Sequence, residues 1–193
     1  MGPILLLVLA AGVAVAAASA SARTSATPSA SRCGGSTWRM KTMSDAMRKS
    51  VALTPKTATV GAIIGKPYPN PVPRRRRTSF QRQSWEVVAQ ITAYRLEDAG
   101  VRLILYDDGA YVNAVVPAPS CLTSLSRGRA AMNAAWNTFF TKCARPSRDW
   151  QSLGAILYVR GVGLWTDRRG ERGAARNGAE LYPVTGFRVI AGC

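Results

Sequence analysis

The chain has 193 residues, with 26 Lys and Arg against 10 Asp and Glu, a formal net charge of +16 and no histidine. The lack of histidine excludes Ser-His-Asp and Cys-His catalysis in their usual forms. A zinc site would have to use all four dispersed cysteines, so none is predicted. The charge favours an anionic partner. The alternative is an arginine bias from a GC-rich genome, with solvated charges.

Residues 1–22 predict a signal peptide, because an apolar run is followed by small residues. Ala20, Ser21 and Ala22 fit a signal-peptidase site, which places cleavage before Arg23. The apolar run over residues 4–18 is short for a bilayer span. We therefore expect an exported protein of the cell envelope or medium, with no transmembrane span after processing. An uncleaved N-terminal anchor is the alternative.

Residues 23–36, rich in Ser, Ala and Pro, predict a flexible leader. Residues 37–83, called the N-terminal arm below, predict an irregular segment with a Pro- and Arg-rich linker. We expect the arm to lie across the domain on apolar anchors, which are Trp38, Val51, Leu53, Val60 and Ile64. Four consecutive arginines at 74–77 indicate a solvated linker, with phosphate or headgroup binding and a processing site as alternatives.

Alternating apolar residues predict three strands over residues 85–94, 101–105 and 111–116, separated by turns at 97–100 and 107–109. A helix follows, with Ser126 as its N-cap and an apolar face that includes Ala131, Ala135 and Phe139.

The chain closes with two more predicted strands, over residues 154–165 and 179–190. Gly161 and Gly163 inside the first of them indicate a bend or bulge. Three strands, a helix and two strands is the order of the OB-fold. The predicted fold class is therefore mainly β (α+β): residues 84–193 form a five-stranded OB-like barrel with one helix between strands three and four.

Four cysteines in an exported chain favour disulfides, and they allow three connectivities. Cys121 precedes the predicted helix and Cys143 follows it, so a bridge closing this segment is the expected one. Cys33 and Cys193 would then pair by elimination.

Several motifs beyond this topology resemble a family of uncharacterised exported bacterial proteins with an OB-fold-like β-barrel. These are residues 38–42 with Asp45, 53–55, 91–94, Pro117 with Cys121, 161–167 and 177–184. Relatives carry histidines where this sequence has Arg102, Arg168 or Arg169, and Tyr182. The resemblance therefore implies that a histidine-dependent activity, if the family has one, is lost here.

The leading hypothesis is a non-catalytic binding module without cofactor or catalytic residues. OB-folds bind on strands two and three and on the flanking loops, where bases stack on aromatic rings beside basic groups. The partner would be a cell-wall polyanion, nucleic acid, anionic lipid or an envelope protein. The candidate binding residues are Arg102, Tyr106, Tyr111, Trp165, Arg168, Arg169, Arg172 and Arg176. In the alternative, the aromatic residues complete the core and the arginines are solvated.

The enzyme alternative is a Ca²⁺-dependent phosphodiesterase or nuclease on the same barrel. It needs carboxylates for the cation and arginines for the phosphate, and the candidates are Asp98, Asp107, Glu180, Arg102 and Arg188. The turn acids Glu97, Asp98, Asp107 and Asp108 could hold Ca²⁺ or Mg²⁺, but turn formation is the favoured interpretation, so no metal is predicted.

Overall fold

A computed structural model describes residues 2, 32–33, 35–167 and 170–193. The predicted signal peptide, apart from Gly2, and most of the predicted leader lie outside the described residues. Six strands belong to one mixed sheet. They are β1 (Ala52–Thr57), β2 (Gln83–Glu97), β3 (Gly100–Asp107), β4 (Ala110–Pro117), β5 (Gln151–Trp165) and β6 (Ala179–Ala191). The helices are α1 (Trp38–Lys41), α2 (Val60–Ile64) and α3 (Arg129–Thr138).

The strand order is β1-β2-β3-β4-β6-β5, and β2 also pairs with β5. The pairings from β2 through β3, β4, β6 and β5 therefore return to β2. The contacts β2–β3, β3–β4, β5–β6 and β2–β5 are antiparallel, whereas β4–β6 and β1–β2 are parallel. The prediction of a mainly β protein with few helices is confirmed.

The N-terminal arm is not irregular throughout, which corrects the sequence prediction. It contains α1, α2 and β1, a strand additional to the five predicted ones, which runs parallel to β2. β1 was missed because it is an edge strand with no buried residue, so it lacks the apolar alternation of a half-buried strand. Val60 and Ile63 of α2 are fully buried in the large hydrophobic cluster that the strands enclose, which we call the main core. In a second cluster, Met43 and Val51 pack with Met132 and Val162. The arm thus contributes directly to the interior.

The predicted helix is present as α3 and continues as a π-helical turn over Phe139–Cys143. Met132 and Phe139 are fully buried, whereas Ala131 is exposed. Ser126 is not the N-cap, because Gly128 occupies that position with φ +77°. The Ser126 hydroxyl instead accepts a hydrogen bond from the Thr123 N–H at 3.0 Å, inside the turn before the helix.

The bend expected at Gly161 and Gly163 is confirmed by two shifts in the β5–β6 register at these residues. A Cβ on Gly163 would lie 2.3 Å from the Phe80 carbonyl oxygen. No larger residue fits there, because that distance is far inside van der Waals contact.

Two disulfides are present, but the expected pairing was wrong. Cys33 is bonded to Cys121, and Cys143 is bonded to Cys193, with Cα–Cα distances of 5.5 and 4.2 Å. Cys121 precedes α3, which is about 15 Å long at 1.5 Å per residue, and Cys143 ends the π-helical turn that follows α3. Each of them meets a terminal segment instead.

Among the described residues, no helix is long and apolar enough to cross a bilayer.

Candidate functional site

A cleft of about 380 Å³ lies on the face of the sheet opposite to the main core, and we call it the sheet cleft. Leu103 and Leu105 of β3 point into the main core, so the intervening Ile104 lies on the other face. The cleft is lined by Thr92 from β2, Ile104 from β3, Tyr111 from β4, and Arg172, Gly173 and Ala174 from the β5–β6 loop. Three strands and one loop therefore meet at this site.

The β5–β6 loop rests directly on the strands beneath it. Asn113 of β4 is fully buried, and its side-chain amide faces the carbonyl oxygens of Arg172 and Gly173; with the amide nitrogen turned toward them, it donates to both, at 3.3 and 3.2 Å. Gly173 has φ +71°, and a Cβ there would lie 2.5 Å from the Ile104 Cγ2 atom. The close approach and the left-handed backbone both require glycine, and together they hold Arg172 at the cleft.

Tyr106 and Tyr111, two of the predicted binding residues, face each other across β3 and β4. Their ring centroids are 4.8 Å apart and the rings are tilted by 45°. Tyr111 is 45% exposed and lines the sheet cleft, so part of its surface is accessible there. The pair forms an aromatic wall whose outer ring is free of core packing.

Two arginines approach the ring of Trp150, just before β5. The guanidinium carbons of Arg95 and Arg172 lie 4.6 and 5.3 Å from its ring centroid, within cation–π range. A further cleft of about 300 Å³ adjoins Arg95, between Arg148 and Glu171. Trp150 was missed in the sequence, although an aromatic residue beside Arg145 and Arg148 is the kind of pattern that could have indicated it.

Arg102 is 2% exposed and does not line the sheet cleft. Its guanidinium donates to Glu97 at 2.8 Å and to Glu180 at 3.1 Å, and Arg95 also donates to Glu97 at 2.8 Å. Burial lowers the pKa of Arg102, but the charges and hydrogen bonds of Glu180 and Glu97 outweigh it and raise the pKa above its ordinary value. Arg102 is therefore a charged link between three strands, and we leave it out of the proposed binding surface.

Trp165 is 4% exposed and belongs to the main core. Its ring centroid lies 4.6 Å from that of Phe80, and its Nε1–H donates to the Thr78 hydroxyl at 3.0 Å. Arg176 is exposed on the β5–β6 loop. Arg168 and Arg169 lie outside the described residues. The structure thus brings Tyr106, Tyr111 and Arg172 together, and separates Arg102 and Trp165 from them.

The carboxylates of the phosphodiesterase alternative are dispersed. Glu180 is paired with Arg102, and Asp98 with Arg148 at 2.7 Å. Asp107 accepts a hydrogen bond from the Val60 N–H at 3.4 Å. Within the described residues no group of three or more His, Cys, Asp or Glu side chains could hold a metal ion. Arg188 lies 3.5 Å above the centroid of the Tyr158 ring, between β5 and β6.

Comparison with known proteins adds little to these contacts. No family model matches the chain, and no curated protein matches it. Among solved structures, it is similar to a chain from Leishmania major Friedlin that is described as a candidate aspartyl-tRNA synthetase. The TM-score is 0.44 at 10% identity, over 74% of this chain and 22% of that one. At this level the similarity carries no argument about fold or function.

Proposed function

We propose that the chain is an exported, non-catalytic binding module that holds an anionic polymer in the sheet cleft. The observation that supports this best is that two exposed residues, Tyr111 and Arg172, line the same cleft. A flat aromatic surface beside a cation suits a polymer in which rings alternate with negative charges. The net charge of +16 would add attraction at longer range.

The OB-like barrel is part of the proposal. Its support is the closed succession of pairings from β2 to β5, the parallel contact of β4 with β6, and a helix between β4 and β5. β1 would then be an addition to a five-stranded barrel. OB-folds bind on the second and third barrel strands, which correspond here to β3 and β4. The resemblance to the exported bacterial family stays a proposal alongside it.

Export is proposed from the N-terminal sequence, and the two disulfides support it because such bonds persist in oxidising compartments. A cell-wall polyanion is then the leading partner. Nucleic acid, anionic lipid and an envelope protein are the competing partners that binding measurements would separate.

The test measures the dissociation constants for heparin and for a single-stranded oligonucleotide over a series of salt concentrations. Binding should weaken with salt, because the ligand's counterions are released on binding. Tyr111→Ala should raise Kd by about fivefold or more, since a stacked ring contributes about 1–3 kcal/mol. Arg172→Ala should reduce the salt slope by about 1.

The matched control is Arg75→Ala, which removes the same charge from an exposed position outside the sheet cleft. Arg75→Ala should change Kd and the salt slope less than Arg172→Ala does. When it is combined with Tyr111→Ala, the rise in Kd caused by Tyr111→Ala should stay the same. Equal losses in the two arginine variants, or no binding at physiological salt, would contradict the proposal. The phosphodiesterase alternative gains no support from the contacts above and stays a prediction, which chelator-sensitive hydrolysis would establish.

A further inference from the structure

A second cleft, of about 510 Å³, lies between the N-terminal arm and the end of β5, and we call it the arm cleft. The start of the arm, around Thr37 and Lys41, forms one wall, and the proline-rich segment 70–74 of the same arm forms another. Residues 164–167 form the third wall. It shares no lining residue with the sheet cleft. Its volume lies within the range of small-molecule sites, about 300–1,000 Å³.

The wall that carries Arg74 is held in place by Arg76, two residues further along the chain, which is fully buried. The Arg76 guanidinium donates to the Met40 carbonyl at 2.6 Å, to the Gln81 carbonyl at 2.9 Å and to Asp45 at 3.0 Å. Met40 directly precedes Lys41, so one side chain ties the two basic walls of the cleft together. The arginine run is therefore divided: Arg76 is internal, while Arg74 is exposed at the cleft.

The lining combines charge with hydrogen-bonding groups. Lys41 is 8% exposed, with its ammonium nitrogen 5.3 Å from the centroid of the Tyr182 ring, and Arg74 adds a second cation. Asp167 supplies one carboxylate, so the charged side chains among the described lining residues sum to one positive charge. Hydroxyl and amide groups complete the polar lining, from Ser36, Thr37 and Asn70.

We propose that the arm cleft is a second binding site, for a sugar-sized, polyhydroxylated molecule that carries one carboxylate or phosphate group. The excess positive charge attracts a single anionic group, which the exposed Arg74 is placed to meet. The Asp167 carboxylate opposes a highly charged anion but accepts hydrogen bonds from ligand hydroxyls. A bare inorganic anion would contact only the charged part of the lining, whereas a polyhydroxylated molecule also reaches its hydroxyl and amide side chains.

The experiment titrates the full chain with glucuronate and with glucose 6-phosphate, and follows binding by calorimetry. Glucose and inorganic phosphate serve as probes that each lack one half of the proposed recognition. At least one of the two sugar acids should bind with a Kd below about 1 mM. Glucose and phosphate should both bind about tenfold more weakly or worse than that sugar acid, since each loses a charged or a hydroxyl contact.

Variants locate the site. Arg74→Ala should weaken binding of the sugar acid by about tenfold, because a hydrogen bond to a charged group is lost. Arg75→Ala and Arg77→Ala remove the same charge from the same exposed run without lining the cleft, and they should leave Kd unchanged. Tyr111→Ala should also have no effect, which keeps this site distinguishable from the sheet cleft.

Three outcomes would overturn the proposal. One is that neither sugar acid binds the chain with a Kd below about 1 mM. Another is an equal loss of affinity in the Arg74, Arg75 and Arg77 variants, which would indicate diffuse attraction to the arginine run. Phosphate binding as tightly as glucose 6-phosphate would likewise refute the recognition of a sugar.

Discussion

Arg76 illustrates how a single residue in a charged run acquires a structural role. Its three neighbours, Arg74, Arg75 and Arg77, are exposed, whereas Arg76 is fully buried and donates three hydrogen bonds. Burial lowers the pKa of Arg76, and the adjacent Asp45 offsets part of that effect. The guanidinium stays charged at neutral pH because an arginine pKa starts so high.

Replacing Arg76 with Met should therefore lower the free energy of unfolding by about 3 kcal/mol, since it removes all three hydrogen bonds of the buried guanidinium and its ion pair with Asp45. Urea denaturation of the purified chain measures the change. Arg77→Met is the matched control, because its side chain is exposed, and it should alter stability by no more than about 0.5 kcal/mol. Similar losses in the two variants would refute a structural role for Arg76.

At the scale of elements, the disulfides attach both terminal segments to the sheet and α3. Cys33 lies before α1 and is bonded beside the end of β4, and Cys193 follows β6 and is bonded to the end of the π-helical turn. α3 and its π-helical continuation lie between Cys121 and Cys143 in the chain, and each of the two cysteines is bonded to a distant segment instead. The pairing therefore depends on the packing of the chain ends.

Peptide mapping without reduction should recover the pairs Cys33–Cys121 and Cys143–Cys193. Replacing both Cys143 and Cys193 with Ser should cost about 4 kcal/mol on the loop-entropy model, because the bridge closes a separation of 50 residues. Denaturation under oxidising conditions measures this loss. Recovery of a Cys121–Cys143 peptide would instead restore the pairing expected from the sequence.

At the scale of the whole molecule, one ionic network joins strands that are distant in the chain. Glu97 of β2, Arg102 of β3 and Glu180 of β6 are linked by contacts of 2.8 and 3.1 Å. Burial raises the pKa of the Glu97 carboxyl, but hydrogen bonds and charge from Arg102 and Arg95 outweigh burial and hold the pKa below its ordinary value of 4.5.

This lowered pKa predicts a loss of stability in acid. The contribution of Glu97 is fully present above the pKa of the unfolded chain and is lost as pH falls through the lower pKa of the folded chain. Glu97→Gln should destabilise the chain at neutral pH and flatten the fall in stability below about pH 4.5. Urea midpoints over a pH series provide the measurement.

Glu86→Gln is the control for this experiment. Glu86 also lies on β2 and pairs with Arg160, whose side chain is 53% exposed, so the pair is screened by solvent. Glu86→Gln should leave the pH dependence of the free energy of unfolding close to that of the unaltered chain. An acid profile that Glu97→Gln does not change would show that the network contributes nothing to acid stability.

The sequence alone was sufficient to predict β2 to β6 and α3, because each contains a run of apolar residues that the fold buries, between turn or loop residues. It was also sufficient for the bend at Gly161 and Gly163, since glycine inside a strand has few other uses. β1 was not predicted, because an exposed edge strand has no regular pattern of buried apolar residues. The prediction of Ser126 as N-cap was wrong, because α3 begins two residues later, after Gly128.

Only the tertiary structure decided which distant segments of the chain contact one another. Cysteine pairing, the burial of Arg76 and Arg102, and the meeting of Arg172 with Tyr111 all depend on which elements pack together. A local pattern records the environment of one face of one element, whereas these contacts join residues up to 88 positions apart. The sequence therefore determined the strands and the excess of positive charge, and packing decided which charges became internal links and which stayed exposed at the clefts.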